Sequence, residues 1–155
     1  MLNSPYTYEL EFITIENHPM RGVAFLIPED RKITAKLIFD GLSENTERMF
    51  RTRFDYWLGG KPYEKGYHGW DHSEYNGRYT KCFVFTCKEE RVAQRFYGFL
   101  CNPKPFDSRY HLCVLVRHAA KKEHETDETE LKIVEELRTS LAIQRAVKNY
   151  FKEKL

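Results

Sequence analysis

The stretch from Arg78 to Ala119, "RYTKCFVFTCKEERVAQRFYGFLCNPKPFDSRYHLCVLVRHA", decides how the chain folds. Three runs within it, "RYTKCFVFT", "RVAQRFYGFL" and "YHLCVLVRHA", are rich in aromatic and β-branched residues. Each alternates apolar side chains with Lys, Arg or Gln, the period of a half-buried strand. Only "CKEE" and "CNPKPFDSR" separate them, and linkers this short join antiparallel neighbours, so the stretch predicts a three-stranded meander.

Toward the N-terminus, "YTYELEFITI" places Tyr6, Tyr8, Leu10 and Phe12 on one side in period two, a further strand that can add to the meander. In "IPEDRKITAKLIFDGL" Pro28 and an acidic pair precede a short periodic run, predicting a helix from near Glu29 or Asp30 to Gly41. Ser43 reads as the N-cap of a second helix, "ENTERMFRTRFDYWL", in which Phe50, Phe54, Trp57 and Leu58 recur at helical spacing before Gly59-Gly60 ends it. From Gly59 to Gly77 the sequence has no period over a length that connections seldom reach, which suggests a functional loop. Toward the C-terminus, Asp127 and Glu130 form a capping-box-like start. Leu131, Val134, Leu137, Leu141 and Val147 then continue one stripe of a long helix, extending beyond about residue 141. The expectation is a single α+β domain over residues 1–155: a small four-stranded antiparallel sheet, a helix pair after strand 1 on one face, a long C-terminal helix, and the other face open for binding.

At 155 residues the chain is long enough for one domain with a proper core. Its 41% hydrophobic, 31% charged and 15% aromatic content is that of a globular protein, not a disordered one. No segment approaches the roughly 20 apolar residues of a membrane span, and the start lacks a basic stretch followed by an apolar one, so the expected location is cytoplasmic. Cys82, Cys87, Cys101 and Cys113 fall in strand-like runs without CxxC spacing and read as buried thiols. The net charge of +2 conceals an uneven distribution. Lys plus Arg against Asp plus Glu number 5 to 8 over residues 1–50, 14 to 7 over 51–122 and 6 to 8 over 123–155. A basic centre between acidic ends suits a protein that meets a polyanion with one face.

No GxxxxGK[ST] loop, GxGxxG turn, GxSxG elbow or HExxH helix occurs, and carboxylates do not cluster in the basic centre as a two-metal nuclease requires. What remains is a set of basic and aromatic groups: Lys65 and His68 in the long loop, Lys81, Arg91, Arg95 and Tyr97 along the meander, and Arg117, His118, Lys121 and Lys122 at its end. Such groups can cleave RNA without a metal or other cofactor. The 2′-hydroxyl attacks the adjacent phosphorus, so the protein must supply a base, an acid for the leaving oxygen, and cations for the growing charge. Arginine grips two phosphate oxygens at once, lysine acts as a point charge, and histidine changes protonation near neutrality. Each residue also has a plainer interpretation: Arg95 and Lys81 as the wet face of a sheet, Tyr97 as core, His68 as a local hydrogen-bonding group, and Lys121 and Lys122 as the solvated end of a strand.

The strand order together with "RFYGFL", "CVLVRHAAKKEHETDETELKIVEELR" and "PEDRKITAKLIFDGL" resembles the RelE/HigB-like toxins of bacterial and phage toxin–antitoxin modules, over roughly residues 6–140. The resemblance implies a compact α+β domain that cleaves mRNA in the ribosomal A site without a metal and is silenced by a cognate antitoxin. By position it makes Arg95 or Arg91 the strand arginine, Lys121 and Lys122 the terminal basic pair, and Arg117 or His118 the histidine position; Lys65 and His68 match loop groups. Aligning "QRFYGFL" on its aromatic shifts the arginine by one place, which reverses its face. Either a β-bulge restores the set or the set is remodelled. Catalytic roles then go to Arg95, Tyr97, His118, Lys121 and Lys122, and RNA contacts to Lys65, His68, Lys81, Arg91 and Arg117. The expected partners are mRNA, the ribosome and an antitoxin, with no membrane and with a homodimer left open. Two other classes compete: a catalytically silent nucleic-acid-binding domain, and a protein-interaction module that docks a partner through its last helix.

Overall fold

The computed structural model describes residues 7–13, 19–29, 34–61, 66–121 and 128–153. The expected meander is there as β4 (Cys82–Glu89), β5 (Val92–Cys101) and β6 (His111–Lys121), each antiparallel to the next. β1 (Tyr8–Phe12) matches the first expected strand. Two further strands correct the sequence reading: β2 (Arg21–Pro28) and β3 (Tyr67–Gly69). The sheet has six strands, not four, in the order β1-β2-β6-β5-β4-β3. It is mixed rather than antiparallel, because β2 runs parallel to β6 from Arg21 opposite His111 to Phe25 opposite Leu115.

β2 was hidden because a central strand is buried on both faces. "GVAFLI" is one apolar run without alternation, as expected of a strand next to a parallel neighbour. The helix expected from Glu29 is accordingly shorter: α1 (Ala35–Asp40), capped by Thr34, whose hydroxyl accepts from the Leu37 amide. α2 (Glu44–Leu58) is as expected, with Ser43 accepting from Thr46 N and Gly59 closing it. The single long C-terminal helix is two, α3 (Glu128–Arg138) and α4 (Leu141–Glu153). The break falls at Thr139-Ser140, where the Thr139 hydroxyl bonds Glu135 O at 2.8 Å and Ser140 O accepts the Gln144 amide to begin the new helix. Asp127, Lys65 and Lys122 lie outside the described residues.

Strand alternation divides the sheet into two apolar faces, and both are covered. Val23, Phe25, Phe83, Phe85, Phe96 and Leu115 pack under α1 and α2. Ala24, Val84, Tyr97, Phe99, Leu112 and Val114 pack under α3 and α4. The sheet face expected to stay open is therefore the bed of the C-terminal helices, and the molecule is layered helix, sheet, helix. The four cysteines are free thiols, Cys82, Cys87 and Cys113 fully inside. Among the described residues no helix is long and apolar enough to cross a membrane.

Candidate functional site

Register decides which of the sequence-selected residues can meet. His68, Val84, Tyr97 and Arg117 lie opposite one another across β3, β4, β5 and β6, forming a single row. The next row on the same face holds Thr86, Arg95 and Ala119, and the one after it Lys88, Ala93 and Lys121. Between Tyr97 and Gly98 the β5–β6 register slips by one residue, so Val116 is a bulge. The bulge is what turns Arg117 to the face under α3, where its guanidinium pairs with the Glu130 carboxylate. His118, next in line, turns to the opposite face, its ring 4.9 Å from that of Phe96 and its Nε2 2.6 Å from Gln94 Oε1.

Arg95, Tyr97 and Arg117 are thus neighbours on one face, and Lys121 takes a register position two beyond the partner of Arg95. Arg95 and Tyr97 are nonetheless inside the protein. Tyr97 is fully buried, which is its plain core role, and Arg95 is 5% exposed with Nη1 3.5 Å from the Tyr97 hydroxyl. His68 stands three strand spacings from Arg117, about 14 Å between backbones, with its ring 4.9 Å from that of Trp70. Burial holds its pKa below the ordinary value; Glu74 opposes that and Arg95 adds to it. Lys81 is exposed at the start of β4, five residues and about 16 Å from the Arg95 row. Arg91 sits at the tip of the β4–β5 turn, also exposed.

The place where groups become accessible is set by the parallel pair. β2 stops pairing with β6 after Phe25 and Leu115, and the two strands continue into α1 on one face and α3 on the other. Connections that leave neighbouring parallel strands toward opposite faces open a crevice beyond the strands' carboxyl ends, the usual ligand position in such sheets. A cleft of about 410 Å³ lies there. Its apolar walls include Leu26, Ile38 and Leu137, and its polar lining includes Tyr8, Arg117, His118 and Glu136. Because β2 no longer pairs with β6 at this level, Arg117 and His118 reach the same cleft despite facing opposite ways. The Arg117 side chain is 38% exposed and anchored by the nearly buried Glu130. Burial lowers the His118 pKa, with Glu130 pulling weakly the other way, so the imidazole is neutral at pH 7 and able to accept a proton. In the tautomer with its proton on Nε2, His118 donates to Gln94 Oε1 and its Nδ1 is left basic.

Tyr8, Gln94, Glu130 and Glu136 were missed by sequence reasoning. Only Glu130 had a signal, its place in the capping-box pattern, and that pointed to a helix start and not to an arginine on a distant strand. Among the described residues no group of three or more His, Cys, Asp and Glu is placed to hold a metal ion. Compared with protein-family models, with curated proteins and with solved structures, the chain matches none.

Proposed function

We propose that the protein cleaves RNA without a metal, as the toxin of a toxin–antitoxin module acting on ribosome-bound mRNA in the cytoplasm, with the cleft at Arg117 and His118 as its active site. One observation supports this: a guanidinium and a neutral imidazole share the crevice beyond the carboxyl ends of β2 and β6. In the reaction His118 Nδ1 takes the proton of the 2′-hydroxyl as its oxygen attacks phosphorus. Arg117 holds the non-bridging oxygens as negative charge grows. The 5′-oxygen leaves with a proton from water, giving a 2′,3′-cyclic phosphate and a 5′-hydroxyl end, and the imidazolium returns its proton to the hydroxide. Arg95 and Tyr97 act as positioning residues beneath Arg117 and do not touch RNA. The toxin role rests on the motif resemblance alone, since the six-stranded mixed sheet departs from the sheet that resemblance implies.

Primer extension on mRNA from a translation reaction tests the reading. Wild-type protein should produce new 5′ ends, and His118→Gln and Arg117→Gln should produce them at least about a hundredfold more slowly. Absence of cleavage by wild type, with ribosomes or on free RNA, refutes it, as does equal cleavage by both variants. The engagement of Arg117 by Glu130 favours a second reading, in which the domain binds nucleic acid without cutting it. Salt-sensitive binding with intact RNA would select that one.

A further inference from the structure

The opposite, amino-terminal end of the β2–β6 pair carries a second groove, of about 590 Å³, which the cleavage reading does not use. Met20 and Arg21 enter it from the start of β2, Leu58 and Gly60 from the end of α2, and Arg109 and His111 from the start of β6. Cations crowd this end, and three of them lie on aromatic rings: Arg21 over Trp57 at 4.8 Å, Lys61 over Tyr56 at 4.4 Å and Lys104 over Tyr110 at 4.0 Å. A cation resting on a ring is attracted by the ring face and held near it. The carbonyl end of α2 also faces the groove, but Arg21 Nη1 bonds Trp57 O at 2.8 Å and the Gly59 and Gly60 amides bond Asp55 O and Trp57 O, so its negative end is offset. The Arg109 side chain, 79% exposed, pairs with Asp107 at 3.5 Å, a surface pair that water and a ligand easily displace.

Two residues before Ser108, on the loop between β5 and β6, Phe106 is 88% exposed. The loop that presents it is braced, since Asn102 Nδ2 donates to Ser108 O at 3.2 Å and to Tyr110 O at 2.9 Å. Phe106 shares this loop with Lys104 and Arg109, and a bare aromatic ring on a basic loop at a groove is a combination that suits single strands: the ring stacks on a base, whichever base it is, while the cations track the phosphates.

We propose that this groove binds single-stranded nucleic acid, with a base stacked on Phe106 and adjacent phosphates held by Arg109, Lys104 and Arg21. The test is fluorescence anisotropy with a labelled 2′-O-methyl oligoribonucleotide of roughly a dozen residues, longer than one such site needs. That probe lacks the nucleophile of the cleavage reaction and is not cut, and the Phe106→Ala and Arg109→Gln variants assign its binding to this groove and not to the cleft at Arg117. Wild type should bind the single strand more tightly than the matching duplex. Phe106→Ala should weaken binding about tenfold, and Arg109→Gln should lower the salt slope by about 0.7. Both side chains are exposed, so neither change threatens the fold, and Arg21→Lys should act in the same direction while keeping the charge. No binding at low salt, equal affinity for duplex, unchanged affinity in the Phe106→Ala and Arg109→Gln double variant, or equal competition by polyglutamate would each overturn the proposal.

Discussion

Arg117 and His118 are adjacent in sequence and opposite in the sheet, and their shared access to one cleft comes from the end of the β2–β6 pairing before them. The chemistry assigned to His118 depends on its being neutral, which burial promotes by lowering its pKa. Cleavage should therefore hold its rate down to about pH 6.5, where an ordinary histidine is half protonated, and decline only at lower pH. His118→Gln should cut the rate by about 10²- to 10⁴-fold and abolish that decline. Initial rates from pH 5 to 8 decide it, and an acidic decline that survives in the variant would show that another group titrates. Glu130 is a different kind of residue, a buried anchor. Glu130→Gln keeps one acceptor but loses the charge that holds Arg117, and should cost about 1–2 kcal/mol in urea unfolding, the lower figure being favoured by the exposure of Arg117.

At the scale of the element, the bulge in β6 is the device that separates Arg117 from His118, and Gly98 sits directly opposite it. A Cβ at Gly98 would lie 2.3 Å from the Val114 carbonyl oxygen, backbone that cannot step aside without moving β6. Gly98→Ala should accordingly destabilise by about 1–3 kcal/mol and, by shifting the register that aims Arg117, lower RNA cleavage more than the stability loss explains. A urea midpoint equal to wild type would show that the strands are free to adjust. The same segment shows what sequence could and could not deliver. Aromatic and β-branched runs bounded by short polar linkers identified β4, β5 and β6, and period two placed Arg95 and Tyr97 on one side, although residues 82–85, 95–99 and 112–115 are buried whichever face they point to. β2 offers no contrast, being apolar throughout, and Pro28 with the acids after it imitates a helix start. Its partner β6 lies ninety residues away, so no local signal announces the parallel pairing, or the crevice that the pairing creates. Whether a strand cation is wet or covered also depends on a distant helix: Arg95 has the sequence of a solvated position and the environment of a core one because α3 lies over it.

For the whole molecule, covering both faces of the sheet places two histidines where protonation opposes folding. His68 lies on the α3 face and His118 on the α1 face, and burial is the first cause of the lowered pKa in each. A histidine whose folded pKa lies below its unfolded value of about 6.5 takes up its proton more readily in the unfolded chain, so stability rises with pH through that window and falls as pH drops from 6.5 toward 5. The exposed carboxylates work in a separate range. Asp71 is lowered by hydrogen bonds from the Ser73 hydroxyl and amide, and Glu89 by those of Thr46 and Ser43 at the start of α2. Their contribution is present above the ordinary carboxylate pKa near 4 and is lost only below it. The midpoint of urea unfolding should thus decline in two stages, one between pH 6.5 and 5 and another below pH 4. Replacing both His68 and His118 with Gln should flatten the first stage and leave the second intact. A double variant whose midpoint still falls between pH 6.5 and 5 as in wild type would mean that neither imidazole is buried enough in solution to resist its proton, and the neutral base that the cleavage chemistry needs would lose its physical footing.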